Sequence, residues 1–172
     1  MTKRFTVIDF VFEAFYSGAV GGSIVALFFL VLDALRGHVL YTPSLLGSVL
    51  LGGTPPDAAA DIRLDMVAYY SALHFAAFGL VGASVTLLMH AVGAYSRHPV
   101  RASLALFLFL EVVSAGFAAV LGALPVAAAN LLAAVGMVTF FAWSRRQMAP
   151  PGVAHRSDEA PAHPAGDAVA AG

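Results

Sequence analysis

The sequence predicts an all-α membrane protein, a four-helix bundle with a short interfacial helix in its first extracytoplasmic loop. Of the 172 residues, 60% are hydrophobic and 11% are charged, whereas ordinary globular chains average roughly 45–50% and about 25%. The mean hydropathy is +0.85, so a soluble fold would lack polar surface to cover itself. Four apolar runs reach the roughly 20 residues that a helix needs to cross a bilayer. Within each run the apolar pattern is continuous, which argues against a transmembrane β-barrel.

The apolar runs define four predicted spans within one transmembrane domain, residues 1–147. The spans cover residues 14–35, 67–92, 102–124 and 126–143. A tight turn at Pro125 is predicted between the third and fourth spans. Residues 148–172 are rich in Pro, Ala, Gly and acidic residues, and they cannot bury enough apolar surface to offset the entropy cost of ordering. We therefore predict a disordered cytoplasmic tail there.

The first loop, residues 37–65, contains a candidate short helix in the segment YTPSLLGSVLLGG. Thr42 is predicted as its N-cap with Pro43 at the first helical position, and Gly52 and Gly53 as its stop. The helix is predicted to lie in the outer interface as a covering flap. A shallow re-entrant element is the alternative, and it would require protein or water partners for its backbone.

Basic residues predict how the spans are oriented. Seven of the nine lie before the first span, between the second and third, or after the fourth; Arg36 and Arg63 lie on the other side. Because cytoplasmic loops are enriched in Lys and Arg, we expect a multi-pass protein of the cell inner membrane with both termini cytoplasmic. A cleaved signal peptide is disfavoured because Asp9 and Glu13 interrupt its start, and because the apolar stretch exceeds the roughly 15 residues of a signal-peptide core.

Small residues at fourfold spacing mark the faces on which the helices are predicted to pack. Lipid tails are as apolar as leucine, so membrane helices associate where small side chains let their backbones approach. The predicted packing residues of spans one and three are Ala14, Gly18, Gly22, Ala26, Ala115 and Ala119. The corresponding stripe of span two is Ala68, Ala72, Ala76, Gly79 and Ala83. These stripes predict a compact bundle in the lipid bilayer and offer faces for a protein partner or a homo-oligomer.

Glu111 and His74 are the most prominent candidates for an intramembrane polar site. An ionisable side chain at this depth costs about 2.5–3.5 kcal/mol on insertion scales, so each requires a partner or a purpose. Glu111 lies roughly 14 Å from the cytoplasmic boundary, and His74 roughly 10 Å from the outer one. If spans two and three are neighbours, His74 lies about 8 Å nearer the outer side and can reach Glu111 through one water. Each residue has a purely structural interpretation as a hydrogen-bonded helix contact.

Asn130 and Asp33 complete the candidate polar site. Asn130 is interpreted as a hydrogen-bonding group between helices. Asp33 lies near the outer end of span one, and an ion pair with Arg36 accounts for both residues. Glu13 is expected near the inner boundary, within reach of headgroup water.

Several classes of function are disfavoured by the sequence. The absence of cysteine excludes disulfides, thiolate metal sites and c-type haem attachment. The net charge of −1 predicts no nucleic-acid partner. No Glu-x-x-His, Walker, zincin or nucleophile-elbow motif occurs, so we predict no catalytic residues, no metal site and no cofactor. His74 and His90 lie roughly 24 Å apart along one helix and cannot ligate one haem iron.

The order of the segments GAVGGSIVALFFLVLDAL, TPSLLGSVLLGG and LHFAAFGLVG resembles that of small four-span bacterial integral membrane proteins of unknown function. Those proteins share a Gly-rich first helix, a Leu-Gly-Ser loop and a His-Phe pair in the second helix. The resemblance covers about the first ninety residues. It implies the fold and a prokaryotic inner membrane, and it carries no activity over.

Three functions follow as hypotheses. The first is a non-enzymatic accessory or scaffolding subunit of a membrane assembly, favoured by the small-residue stripes and the short connections. The second is a proton- or cation-translocating channel or transporter module centred on Glu111. The third is a small redox protein that binds haem or a quinone near His74.

Overall fold

The computed structural model describes residues 6–55, 61–92 and 99–148. They form five helices: α1 (Val7–Leu35), α2 (Tyr41–Leu50), α3 (Leu64–Val92), α4 (Pro99–Leu121) and α5 (Ala123–Met148). Each of the four long helices contains a segment long and apolar enough to cross a membrane. The predicted all-α four-helix bundle is confirmed, with α2 as the short helix of the first loop. The predicted tail lies outside the described residues from position 149 onward.

α1 begins at Val7, before the predicted start of the span at residue 14, because a capping box of polar side chains fixes the first helical residue. Thr6 is the N-cap, and its hydroxyl accepts a hydrogen bond from the Asp9 N–H at 3.2 Å. The Asp9 carboxylate accepts in return from the Thr6 N–H at 2.9 Å. This reciprocal capping box satisfies donors that the first helical turn leaves without partners.

The turn between α4 and α5 falls at Gly122, three residues before the predicted position at Pro125. Gly122 has a φ of +90°, which a residue with a side chain rarely adopts. Its N–H donates to the Ala118 carbonyl at 3.0 Å and closes the end of α4. Pro125 instead lies in the first turn of α5, where the missing N–H costs no helical hydrogen bond.

α1 lies at the centre of the helix arrangement. It packs against α3 on one side and against α5 on the other, and α5 packs in turn against α4. Within the described residues the backbones of α3 and α4 scarcely approach each other, so the order around the bundle is α3–α1–α5–α4. Val81 and Val85 of α3 still share the main core cluster with Leu106 and Leu110 of α4. Ala133, Ala134, Met137 and Phe141 of α5 are almost completely buried in the main core cluster.

The contact between α1 and α3 is made by glycines. A Cβ on Gly18 would collide with the Phe78 carbonyl, and one on Gly82 would collide with the Ala14 carbonyl and lie 2.7 Å from the Gly18 nitrogen. A Cβ on Gly22 would lie 3.2 Å from the Phe75 ring. The two helices are therefore antiparallel and in backbone contact, and any side chain at Gly18 or Gly82 would force them apart.

The predicted packing residues divide into three that lie at the α1–α3 contact and three that are exposed. Ala14, Gly18 and Gly22 are buried at the α1–α3 contact, whereas Ala26 is exposed. Ala115 and Ala119 are also exposed, on the face of α4 that points away from α5.

α2 differs from the prediction at its start. Its N-cap is Leu40 in the left-handed conformation, with a φ of 66°, and Thr42 lies inside the first turn. The prediction of Thr42 as N-cap was wrong because its side chain bonds to Asp33 of α1 instead of to its own helix. A Cβ on Gly47 would collide with the Met66 carbonyl, so α2 lies directly on the first turns of α3.

Candidate functional site

Asp33 joins the end of α1 to the beginning of α2. Its two carboxyl oxygens accept hydrogen bonds of 2.7 Å from the Thr42 N–H and from the Thr42 hydroxyl. Asp33 is 1% exposed, so water does not compete for these bonds. The predicted ion pair with Arg36 is not formed: Arg36 is exposed, and the carboxyl group is taken up by Thr42. An acceptor on the first N–H groups of a helix also complements the helix dipole.

Ser44 holds the other side of α2. Its hydroxyl accepts a hydrogen bond from the Arg63 N–H at 2.8 Å and lies 3.4 Å from the Asp61 carbonyl, to which it donates. α2 is thus tied to α1 through Asp33 and to the chain entering α3 through Ser44. Arg63 uses its guanidinium for an exposed ion pair with Asp65 at 2.7 Å.

Glu111 and Asn130 form a hydrogen-bonded contact between α4 and α5. The Asn130 side-chain amide donates to Glu111 Oε1 at 2.8 Å and to the Ser114 hydroxyl at 2.7 Å. The Ser114 hydroxyl in turn donates a hydrogen bond to the Leu110 carbonyl at 2.7 Å. Asn130 is 5% exposed, whereas Glu111 is only partly buried. Both amide protons of Asn130 are therefore used to join the two helices.

His74 is a contact between α3 and α1. Its Nε2 lies 3.0 Å from the Gly22 carbonyl, and because a carbonyl can only accept, Nε2 carries the proton. The ring also packs on Phe78 and Tyr70 of its own helix, with centroids 4.9 Å and 5.8 Å away. The Gly22 position thus does two things: it lets α3 approach and presents its carbonyl to the imidazole.

The structure does not bring His74 and Glu111 together. The backbones of α3 and α4 scarcely approach each other, and the two side chains bond in opposite directions, to α1 and to α5. The predicted order of depths is also reversed. His74 is held at the level of Gly22, and the neighbouring Gly21 lies beside Met137. Asn130 lies seven residues, about two helical turns, nearer the start of α5 than Met137. Glu111 is therefore the nearer of the two to the end of the bundle that carries α2.

The opening between α3 and α4 forms a cleft with a volume of about 130 Å³, here called the α3–α4 cleft. Its walls are largely apolar and include Val25, Phe29, Leu46, Leu73, Leu110 and Phe117. Four polar side chains reach it: Tyr70, His74, Ser114 and Asn130.

A second cavity, of about 170 Å³, lies on the other side of Tyr70 and His74, between α1, α2 and α3. Val25, Phe29, Tyr70 and His74 contribute to both cavities, so they form the wall that the two share. Within residues 6–55, 61–92 and 99–148, no group of three His, Asp or Glu side chains is arranged to hold a metal ion.

Sequence reasoning missed Tyr70 and Ser114 as members of this region, and it gave Thr42 the role of a helix cap instead of the partner of Asp33. Tyr70 lies near the start of the second predicted span, where an aromatic residue is common at the membrane interface, and Ser114 has no periodic signal. One signal could have found Ser114, since it lies three residues after Glu111 and so on the same helix face. Glu13, expected at headgroup water, is buried instead.

A scan against protein-family models, a search of curated proteins and a search of solved structures each found no match.

Proposed function

We propose that this chain is a non-enzymatic accessory or scaffolding subunit of a membrane assembly. The proposal rests on one observation: the polar side chains at membrane depth form hydrogen bonds that join one helix to another. Asn130 joins α5 to α4, His74 joins α3 to α1, and Asp33 joins α1 to α2. Groups used in this way hold helices in fixed positions, which is what a subunit that presents a rigid surface to a partner requires.

The exposed face of α4 is the surface we assign to that partner, either another protein or a second copy of this chain. Ala115, Gly116 and Ala119 are exposed on it, and a Cβ added to Gly116 would meet nothing within 4 Å. Exposed small residues permit another helix to approach closely, whereas lipid chains gain little from them.

Replacing Gly116 with leucine tests this role. Because the space beside Gly116 is open, we expect the fold and the detergent-solubilised yield to be unchanged, whereas recovery of the crosslinked partner or dimer from native membranes should fall at least fivefold. Ala72→Leu is the matched control, since Ala72 is an exposed small residue on α3, and it should leave crosslinking unchanged. Equal crosslinking by the wild type and both variants would contradict the proposal.

Orientation and location belong to the same proposal. The distribution of basic residues supports a multi-pass protein of the cell inner membrane with both termini in the cytoplasm. The antiparallel packing of α1 with α3 supports the alternation of sides that four spans require. The resemblance to small four-span bacterial membrane proteins supports the same location.

Proton or cation translocation centred on Glu111 is the second candidate. The observation that favours it is that Glu111 is only partly buried although it lies within the apolar segment of α4. Ionisable residues inside membrane helices often mark ion pathways.

A flux assay with Glu111→Gln decides between the two functions. Glutamine retains an oxygen that can accept from Asn130, so the helix contact should survive while the titratable group is lost. The accessory role predicts that wild type and variant give the same pH-driven flux in liposomes, at the level of empty liposomes. A flux that wild type shows and Glu111→Gln abolishes would favour translocation and contradict the accessory role.

A further inference from the structure

Tyr70 and His74, which line both the α3–α4 cleft and the second cavity, each carry a polar group with no hydrogen-bond partner within the described residues. His74 bonds to Gly22 through Nε2, and its Nδ1 makes no hydrogen bond. The hydroxyl of Tyr70, one turn earlier on α3, makes none either. Neither atom is sealed off from its surroundings. Polar groups left unpaired in an apolar environment cost free energy, so a ligand that pairs both is favoured over one that is purely apolar.

The Gly22 carbonyl determines which chemistry can pair with His74. Because Nε2 carries the proton that this carbonyl accepts, Nδ1 of the neutral imidazole is an acceptor. A ligand must therefore donate to it. A ketone, ester or quinone oxygen can only accept, whereas a hydroxyl can donate to Nδ1 and also accept from the Tyr70 hydroxyl.

The size and lining of the cleft favour a ligand whose hydroxyl is attached to a ring. Its volume of about 130 Å³ is close to the roughly 150 Å³ of apolar protein cavities that bind benzene. Phe29, Leu46 and Phe117 supply aromatic and aliphatic surface on three helices. Because α3 and α4 scarcely approach, an apolar tail on the ring can leave between them.

We propose that the α3–α4 cleft binds a phenolic ring with an apolar tail, such as an alkylphenol or the reduced, quinol form of a lipid quinone. The ring hydroxyl donates to His74 Nδ1 and accepts from the Tyr70 hydroxyl. The site lies away from the exposed face of α4, so it is independent of the accessory role.

Pairs of probes with and without a hydroxyl proton test whether the ligand must donate a hydrogen bond to His74. Radiolabelled 4-hexylphenol is titrated onto the full chain in lipid nanodiscs, and binding to empty nanodiscs is subtracted. We expect saturable binding, with 4-hexylanisole at least tenfold weaker because its methyl ether cannot donate. A short-chain quinol should likewise bind at least tenfold more tightly than its quinone. Saturable binding of the alkylphenol alone identifies a free phenol as the ligand, and binding of the quinol identifies a lipid-borne one. Equal affinity within both pairs, or no saturable binding, overturns the proposal.

Matched variants test whether the ligand binds in the α3–α4 cleft. Tyr70→Phe should weaken phenol binding about tenfold, whereas Tyr69→Phe, at the exposed neighbouring tyrosine, should not. Ala77→Leu fills the α3–α4 cleft, and Ala26→Leu fills the second cavity. We expect the first to abolish binding and the second to leave it unchanged, with both proteins extracted and folded as the wild type. Loss of binding in Ala26→Leu with retention in Ala77→Leu would overturn the assignment to this cleft.

Discussion

Replacing Gly82 with leucine is expected to lower the free energy of unfolding by about 3 kcal/mol or more. The added side chain would occupy the position of the Ala14 carbonyl and press on the backbone of Gly18, neither of which can turn aside as a flexible side chain can. Relief requires α1 and α3 to separate, and α1 is also the helix on which α5 packs. The change at one contact should therefore disturb the whole bundle. The measurement is the midpoint of unfolding by sodium dodecyl sulfate, followed by circular dichroism in mixed micelles.

Gly79→Ala is the control for this prediction. Gly79 lies less than one turn from Gly82 on the same helix, but a Cβ there would meet nothing within 4 Å. Its midpoint should stay equal to or slightly above that of the wild type, because alanine has the higher helix propensity. A Gly82→Leu protein that unfolds at the wild-type midpoint would show that α1 and α3 do not pack through their glycines.

Asp33→Ala is expected to detach α2 from the end of α1 at a cost of about 2–4 kcal/mol. The substitution leaves the Thr42 N–H and hydroxyl without the acceptors they now have, and each buried donor left unpaired costs about 1–3 kcal/mol. Because Leu46 of α2 lines the α3–α4 cleft, the loss should also open the cleft on the side of α2. Asp33→Asn keeps one acceptor oxygen and should show a smaller effect.

Cysteine accessibility measures this detachment directly, since the chain has no cysteine of its own. Leu46 is 2% exposed, so Leu46→Cys should react slowly with a maleimide in the wild-type background. Adding Asp33→Ala should raise the rate at least tenfold, while Asp61→Ala, which removes an exposed carboxyl nearby, should leave it unchanged. Similar rates in all three backgrounds would refute the role assigned to Asp33.

The fold could be predicted from the sequence because hydropathy and helix length report on each segment separately. The Gly18 and Gly22 spacing on α1 also pointed to the face that meets α3. On α3 the fourfold spacing pointed to the wrong face: Ala72 and Ala76 are exposed, and Gly82 makes the close contact. Alanine is so frequent in this chain that a fourfold repeat can be drawn on more than one face of a helix.

Which side chains meet in the candidate site depends on which helices are neighbours, and no local sequence pattern specifies this. His74 and Glu111 were expected to meet because their spans are consecutive, but α3 packs on α1 and α4 packs on α5. Asp33 was paired with Arg36 because the two are three residues apart, whereas its actual partner lies nine positions along the chain. Contacts set by tertiary packing override those suggested by spacing along one helix.

The central claim, that this chain crosses a membrane four times, is tested most directly by labelling single cysteines in sealed vesicles. Thr6→Cys lies at the start of α1, and Thr54→Cys and Ala123→Cys lie at the opposite end of the bundle. Four crossings predict that a membrane-impermeant maleimide labels Thr6→Cys on one side only, and that it labels Thr54→Cys and Ala123→Cys on the other side only. Labelling of all three from the same side, or release of the protein into the aqueous phase by alkaline carbonate, would contradict it.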